Sequence, residues 1–383
     1  MMPRILPGST IGIIGGGQLG RMMALSAKEM GYRIAVLDPT PNSPCAQVAD
    51  IEIVGAYDDM QAIKKLHAVS DVITYEFENI NYEALTWLEE HANLPQGSSV
   101  LQTTQNRFLE KSTIAEMGIN VAPFRRVTNA KDLKKAIQDF QMPCVVKTTT
   151  GGYDGKGQVV IRKQRDIQEA LQLVEATECI VEKWITFAKE LSVIVVRSVT
   201  GESEAFPVAE NIHVNNILHQ SIVPARISRS TEKKAIDYAM QIANKLEVVG
   251  TLAVEMFVTD YGDLYINELA PRPHNSGHYT MDACMTCQFE QHIRAICGWP
   301  LGETTLLKKV VMVNILGEHL DAALRHIPYF PGVKLHLYGK KEAKYQRKMG
   351  HLNVLHDNLE EALQMINAWN IWSKERELME VQS

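Results

Sequence analysis

The chain lacks the features that define several large classes of protein. Its formal net charge is −6 over 383 residues, so it has no surplus of positive charge of the kind that binds nucleic acid. No segment approaches the roughly 18 apolar residues that a membrane-spanning helix needs, and the N-terminal stretch has no signal-peptide cleavage region. We therefore expect a cytoplasmic protein that binds neither nucleic acid nor membranes.

Cysteine is also scarce, with six residues in the whole chain, which excludes a disulfide-based scaffold. Cys284 and Cys287 form a C-x-x-C motif. Three further potential ligands lie nearby in the sequence: Cys297, His278 and His292. A zinc or redox site is one interpretation, but there is no second C-x-x-C motif to complete it. We favour buried, unreactive thiols in a helix predicted over 281–296.

The order of predicted elements indicates three domains, since 383 residues exceed what one small core usually holds. Short apolar strands alternate with helices up to about residue 105, a pattern typical of a parallel α/β sheet. The segment 106–188 is predicted to be a compact α+β module. The rest, 189–383, is rich in strands and ends in a small additional piece. The predicted domains are therefore 1–105, 106–188 and 189–383.

Glycine is concentrated in the segment 151–158, which reads GGYDGKGQ and follows an apolar strand that ends at Lys147. Four glycines in seven residues allow left-handed backbone conformations, in which N–H groups can point at an anion. Lys147 and Lys156 add positive charge beside them. A flexible hairpin is the alternative, but it would not need these charged and aromatic side chains. We favour a lid over nucleotide phosphates.

A second glycine motif, G-x-G-x-x-G, is formed by Gly15, Gly17 and Gly20 between a predicted strand and a predicted helix. Asp38 closes the next strand, about where an acid that binds ribose would lie. Alone, the motif suggests a dinucleotide-dependent dehydrogenase, or merely glycines that allow helix and strand to pack closely. Any phosphate can use a helix N-terminus, and we favour a phosphorylated metabolite.

Two acidic residues lie in neighbouring predicted strands, Glu255 in the first and Glu268 in the second, joined by the turn 260–263. Antiparallel pairing would bring both carboxylates, together with Asn267, into one site. Such oxygen ligands suit Mg²⁺ held jointly with substrate phosphates. Two solvated acids are the alternative, but the apolar neighbours of Glu255 would make an unpaired carboxylate costly.

A polar loop follows, PRPHNSGH over 271–278, in which Arg272 could clamp a phosphate or carboxylate. The prolines equally suit a structural turn. Earlier in the chain, 182–185 ends a predicted strand, and an extended backbone there could bind an adenine edge, with Glu190 on the ribose hydroxyls.

Together these motifs resemble the ATP-grasp superfamily, and within it the 5-(carboxyamino)imidazole ribonucleotide synthase family. The motifs occur in that family's order: GGGQLGRM, VLDP, YEFEN, the segment from Gln105 to Lys111, KTTTGGYDGKGQ, AENIHVN and NELAPRPHNSGH. The resemblance runs from about residue 10 to the segment 338–351. It implies an ATP-grasp fold of α/β and α+β class, with an N-terminal parallel-sheet (Rossmann-like) domain, a small lid domain and a C-terminal catalytic sheet domain.

The resemblance also implies a two-part reaction. Bicarbonate attacks the γ-phosphate of ATP to give carboxyphosphate and ADP, and the amine of 5-aminoimidazole ribonucleotide then captures the carboxyl group or released CO₂. Phosphoryl transfer of this kind depends on positioning and charge neutralisation. Mg²⁺ is the expected cofactor, and a homodimer the expected assembly.

The same resemblance assigns roles to individual residues. The implied ATP contacts are Arg107, Lys147, Gly152, Tyr153, Asp154, Gly155, Lys156, Gly157, Gln158, Glu182, Lys183, Trp184, Ile185, Glu190, His213, Asn267 and Glu268. The implied catalytic residues are Tyr153, Asp154, Lys156, Arg272, Lys341 and Arg347, with Asp154 as proton acceptor. The implied substrate contacts are Gly17, Gln18, Leu19, Glu76, His274 and Asn275, and the implied metal ligands are Glu255 and Glu268.

Two of these choices stay open at the level of sequence. Tyr345-Gln346 stands where the family pattern leads us to expect a turn with proline or glycine, so Lys340 could replace Lys341, which we prefer on spacing. Glu78 is the alternative to Glu76.

Other functions explain less of the sequence. A dehydrogenase leaves the second glycine loop and the acidic pair unexplained, and a catalytically silent nucleotide-binding module should lack a metal ligand or lid lysine. The nearest competitor is a formate-using glycinamide ribonucleotide transformylase, with biotin carboxylase further away. Two features favour the aminoimidazole enzyme: the run 275–278 and the pair Tyr153-Asp154.

Overall fold

The N-terminal part of the chain is a parallel α/β layer in a computed structural model that describes residues 4–78, 80–152, 157–373, 375, 378 and 379. Its elements are β1 (Thr10–Ile14), α1 (Gln18–Glu29), β2 (Arg33–Asp38), β3 (Ile51–Val54), α2 (Met60–Val69), β4 (Val72–Tyr75), α3 (Tyr82–His91) and α4 (Ser99–Gln105). The strand order is β3-β2-β1-β4, and all three pairings are parallel. The predicted parallel sheet is confirmed.

A small antiparallel sheet follows. Its segment contains α5 (Arg107–Glu116), β5 (Phe124–Val127), α6 (Ala130–Phe140), β6 (Cys144–Thr148), β7 (Gln158–Ile161), a 3-10 turn (Gln164–Asp166), α7 (Ile167–Ala176) and β8 (Cys179–Lys183). The strand order is β5-β8-β6-β7. Residues before β5 belong to a different layer, because Lys111 of α5 donates to the carbonyl of Asn267 and Val121 forms a bridge with Ile266.

The third sheet is large and antiparallel. Its segment contains β9 (Lys189–Arg197), β10 (Ser203–Ala205), β11 (Ala209–Val214), β12 (Ile217–Val223), α8 (Arg229–Lys245), β13 (Gly250–Val258), β14 (Leu264–Ala270), a 3-10 turn (Asn275–Gly277), α9 (Thr280–Ala283), α10 (Gln288–Ile296), β15 (Val310–Leu316), a 3-10 turn (Gly317–His319), α11 (Leu320–His326), a 3-10 turn (Ile327–Tyr329), β16 (Val333–Leu337), β17 (Lys348–Leu355) and α12 (Leu359–Ala368). The order is β14-β13-β9-β11-β12-β15-β17-β16, and β10 pairs with β9.

Helices on both faces of the large sheet connect the layers. The small side chains of α8 let it pack closely on one face, where Ala235 and Ala239 are fully buried. Helix α10 lies between the sheet and the N-terminal layer, and its Phe289 and Ile293 share a core with Met23 of α1. The carboxyl end of β4 is thereby held beside the loop that follows β14. No helix in the described ranges is long and apolar enough to span a membrane.

The helix predicted over 281–296 is wrong as a single element. The chain forms α9 and α10 with a break between them, because Cys287 adopts an extended conformation and caps α10 by accepting a hydrogen bond from the N–H of Glu290. The cysteines are free thiols, and burial raises the pKa of Cys284 to about 12. Within the described part of the chain, the one cluster of three or more His, Cys, Asp or Glu side chains close enough to share a metal ion contains no cysteine.

Candidate active site

The centre of the candidate site is the antiparallel pair of β13 and β14. Glu255 lies directly opposite Glu268, and a bulge inserts Asn267 as an extra residue beside them. The predicted hairpin is confirmed, with Gly262 at φ +82° in its turn. A bulge re-aims side chains locally, and here two carboxylates and one amide oxygen project from adjacent positions. Such a donor set fits Mg²⁺.

The electrostatics of this pair favour a bound cation. Burial and the neighbouring charge of Glu268 raise the pKa of Glu255. His274 Nε2 lies 3.4 Å from Glu255 Oε1. Burial, followed by the nearby Arg272, lowers the pKa of His274 well below its usual range. A neutral imidazole relieves the repulsion between the carboxylates little, whereas a divalent ion would remove it.

A third carboxylate, that of Glu110 in α5, lies near Glu255 and Glu268 and was not predicted from the sequence. It is 3% exposed, and its Oε2 accepts a hydrogen bond from the N–H of Leu269 at 3.3 Å. Burial raises its pKa, and the charge of Glu268 adds to the shift. Acidic residues are common in the first turn of a helix. The sequence position of Glu110 therefore does not indicate that it lies beside the Glu255–Glu268 pair.

A buried ion cluster lies on the small-sheet side. Glu182 Oε2 is 3.1 Å from Lys147 Nζ, and its Oε1 is 3.5 Å from Lys111 Nζ. Burial alone would raise the pKa of Glu182, but the two lysines hold it below its usual value. The structure thus brings the predicted Lys147 and Glu182 together, and it adds Lys111, which is buried and was not predicted as a site residue.

The ends of the glycine loop are tied to α5. The guanidinium of Arg107 donates to the carbonyls of Thr148 at 2.9 Å, Gly151 at 2.5 Å and Gly152 at 3.1 Å. At the other end the N–H of Thr148 donates to the carbonyl of Gly157 at 2.9 Å. Gln158 pairs with Lys147 across β6 and β7. Four predicted loop residues lie outside the described residues: Tyr153, Asp154, Gly155 and Lys156.

The residues predicted to contact the adenine and ribose of ATP lie where β8 leads into β9. Lys183 is exposed, and Trp184 and Ile185 are half-buried in the segment between the two strands. On the neighbouring strands, His213 Nδ1 lies 3.0 Å from Glu190 Oε2. Burial lowers the pKa of His213, but the contact with Glu190 raises it above the usual value overall. The two residues predicted to contact ATP here are therefore neighbours.

The N-terminal glycine motif is occupied by the protein's own carboxylates. Glu76 accepts hydrogen bonds from the N–H groups of Gly17 and Gly20, the latter at 2.5 Å, and Asp38 accepts from Gly16 at 2.7 Å. A dinucleotide pyrophosphate would meet these carboxylates instead of free N–H groups. This geometry counts against the dehydrogenase alternative.

The two predicted substrate contacts at the start of α1, Gln18 and Leu19, differ in burial. Gln18 is half-buried, whereas the side chain of Leu19 packs in the core against Met23. Leu19 can therefore contact a ligand only through its backbone.

The loop after β14 carries several polar atoms that have no hydrogen-bond partner among the described residues. Arg272 Nη2 lies 2.6 Å from Glu78 Oε1, but its Nε is buried without a hydrogen bond. Both polar side-chain atoms of Asn275 are also buried and make no hydrogen bond within the described part of the chain. Buried polar groups are nearly always satisfied, so these atoms indicate a place for an anionic or polar ligand.

The two adjacent C-terminal lysines, Lys340 and Lys341, differ in their burial. Lys340 is half-buried and donates to the carbonyl of Lys348 at 2.8 Å, whereas Lys341 is exposed. Burial, and then the cation of Arg347, lower the pKa of Lys340 to about 8, and the charge of Glu76 acts on it in the opposite direction. Of the two lysines, Lys340 is thus the one whose pKa Glu76 influences, and the choice between them as a substrate contact stays a prediction. Arg347 is exposed and donates to the carbonyl of Glu342.

Three known domain families match successive parts of the chain. Residues 8–105 match the ribonucleotide synthetase preATP-grasp domain, and residues 112–289 match the ATP-grasp domain. The chain is thus an ATP-grasp ligase. Residues 310–365 match the phosphoribosylaminoimidazole carboxylase C-terminal domain. The chain is 56% identical over 366 residues to the N5-carboxyaminoimidazole ribonucleotide synthase of Bacillus subtilis, which covers 95% of this chain and 96% of that protein. It belongs to the N5-carboxyaminoimidazole ribonucleotide synthase family.

Solved structures agree. An ADP complex of an N5-carboxyaminoimidazole ribonucleotide synthetase has 66% identity and a TM-score of 0.96, covering 98% of this chain and 100% of that one. The Aspergillus clavatus enzyme in complex with ADP and 5-aminoimidazole ribonucleotide has 31% identity and a TM-score of 0.90, covering 96% and 99%. The family resemblance, the ATP-grasp fold and the ligase class predicted from the motifs are confirmed.

Proposed function

We propose that the chain carboxylates the amine of 5-aminoimidazole ribonucleotide, using ATP and bicarbonate, in de novo purine biosynthesis. The products are N5-carboxyaminoimidazole ribonucleotide, ADP and phosphate. Membership of the family over 95% of the chain carries the proposal. The local chemistry supports it. Glu255 and Glu268 face each other, Glu182 lies beside Lys147, and the loop after β14 carries polar atoms that have no hydrogen-bond partner in the described ranges.

In the first step an oxygen of bicarbonate attacks the γ-phosphorus of ATP, and the bond to the bridging oxygen of ADP breaks. Lys147 would neutralise phosphate charge as it moves to the leaving group, since phosphoryl transfer relies mainly on positioning and electrostatics. Glu255, Glu268 and Asn267 would hold Mg²⁺, which when bound supplies further neutralisation of the phosphates. The buried Nε of Arg272 and the amide of Asn275 are suited to orient bicarbonate.

In the second step the amine attacks the carboxyl carbon of carboxyphosphate, phosphate leaves, and the amine loses a proton. Asp154 is proposed as the acceptor of that proton. The glycine segment, anchored by Arg107, would exclude water from the labile carboxyphosphate. Lys340 and Arg347 would bind the ribotide phosphate.

The test measures ADP release by the purified protein with 5-aminoimidazole ribonucleotide plus bicarbonate, against glycinamide ribonucleotide plus formate. We expect stimulation by the first pair only, and stimulation by the second pair alone would overturn the proposal. We also propose a homodimer, which light scattering coupled to size-exclusion chromatography measures directly as a mass near twice 42.9 kDa.

A further inference from the structure

A line of buried polar side chains runs through the large sheet and ends at His274. Ser221 of β12 donates to Asn211 Oδ1 at 2.8 Å, and Asn211 Nδ2 donates to Ser192 Oγ of β9 at 2.9 Å. Ser192 then donates to Ser276 Oγ at 2.7 Å. All four side chains are at most 4% exposed. Four polar groups buried together in an apolar sheet are costly unless they are mutually satisfied.

The direction of these hydrogen bonds determines whether Nδ1 of His274 donates or accepts a hydrogen bond. Each serine hydroxyl has one proton, and that of Ser192 is already donated to Ser276. Ser276 therefore has its own proton free to donate, and its Oγ lies 2.9 Å from His274 Nδ1. The backbone N–H of Ser276 also donates to the same nitrogen, at 3.3 Å. Nδ1 is thus an acceptor, and it carries no proton.

The backbone of His274 is held as firmly as its ring. The fully buried amide of Gln288 accepts from the N–H of His274 at 2.9 Å and donates to its carbonyl at 2.8 Å. A double amide clamp of this kind leaves the residue little freedom to rotate away from Ser276. The ring's other nitrogen, Nε2, faces Glu255 Oε1 across 3.4 Å.

We propose that the line Ser221–Asn211–Ser192–Ser276 fixes His274 as the neutral tautomer with its proton on Nε2. In this state His274 donates a hydrogen bond into the site and is unable to accept a proton there. Ser276 is then a positioning residue that acts through His274. Because the tautomer can be observed in the free protein, the inference is independent of substrate, and only its catalytic consequence rests on the proposed function.

The direct test is ¹⁵N NMR of protein labelled at histidine, with the signals of His274 assigned by comparison with His274→Gln. We expect a protonated Nε2 and an unprotonated Nδ1 in the parent protein. In Ser276→Ala the preference for this tautomer should weaken, and in Ser276→Thr, which keeps the hydroxyl, it should be retained. A proton on Nδ1 in the parent would overturn the inference, even if Ser276→Ala fails to fold.

Activity supplies the second readout. His274 is a predicted substrate contact, and partners that orient a site histidine through its other ring nitrogen typically contribute about 10- to 100-fold to activity. We expect Ser276→Ala to lower kcat about tenfold with the KM for ATP unchanged, and Ser276→Thr to restore most of the loss. Ser203→Ala, in β10 of the same sheet, is the matched control. Equal activity of parent and Ser276→Ala would refute the positioning role. Absence of carboxylation in the parent, with the expected tautomer, would refute the proposed function alone.

Discussion

Glu76 accepts a hydrogen bond from the backbone N–H of Gly20 at 2.5 Å, although the two residues are 56 positions apart. The N-terminus of a helix attracts anions because its first N–H groups are unpaired. Here an anion from β4's carboxyl end already takes those groups, with Gly17 as a second donor. The glycine motif therefore serves to bring the N-terminal layer's own acid into a fixed position.

The first prediction follows because Glu76 already occupies the N–H groups of the glycine motif. The parent protein should not bind NADH in a fluorescence titration, because the pyrophosphate would be placed against the carboxylates of Glu76 and Asp38. ATP binding, measured in the same buffer, is the positive control. Saturable NADH binding in the micromolar range would contradict the geometry at Gly17 and Gly20.

The second prediction concerns the facing carboxylates. Glu268→Gln keeps the size of the side chain but removes one negative charge from the proposed metal site. Turnover of Mg·ATP should fall on the order of 100-fold, while the thermal unfolding temperature stays close to that of the parent because Glu268 is exposed. Asp260→Asn, an exposed acid in the same hairpin's turn, is the matched control. Activity of Glu268→Gln within twofold of the parent would remove this residue from the metal site.

The third prediction separates nucleotide binding from carboxyl transfer. Asp154→Asn should bind ATP as the parent does and lose formation of the carboxylated product, because an amide does not accept the proton that the amine must release. Nucleotide affinity by calorimetry and product formation by isotope incorporation from bicarbonate measure the two properties. Unchanged product formation would show that another group accepts the proton.

Local periodicity was enough to predict the strands that bracket the site. The parallel strands around β1 and the hairpin of β13 and β14 are apolar runs with clear turn residues between them, so their boundaries are read from the chain itself. No strand was predicted over 348–355, because the buried His351 and Asn353 of β17 interrupt its hydrophobic pattern.

Long-range geometry explains what the sequence left out. The polar line to His274 depends on strands β12, β11 and β9 lying side by side, which no spacing between Ser221 and Ser192 indicates. Charged residues such as Glu110 and Lys111 are common near the start of a helix. Only the packing of α5 on β14 brings these two to the site. Spacing likewise favoured Lys341, whereas burial distinguishes Lys340.

The last prediction uses the lowered pKa of Lys340. Its pKa is about 8 because burial, and then the neighbouring Arg347, disfavour the charged form. The ammonium form binds a phosphate and the neutral amine does not, so affinity for the ribotide should be full below pH 8 and decline as the pH rises through that value. The pH dependence of kcat/KM for the ribotide reports the ionisation of the free enzyme, and we expect it to fall up to about tenfold per pH unit above pH 8.

Two variants decide whether Lys340 causes that decline. Lys340→Arg stays protonated throughout this range, so its profile should flatten above pH 8. Lys341→Ala, which changes the exposed neighbour, should keep the parent's profile and most of its affinity. A profile that is the same in the parent and Lys340→Arg, or a larger loss of ribotide affinity in Lys341→Ala than in Lys340→Ala, would return the phosphate-binding role to Lys341.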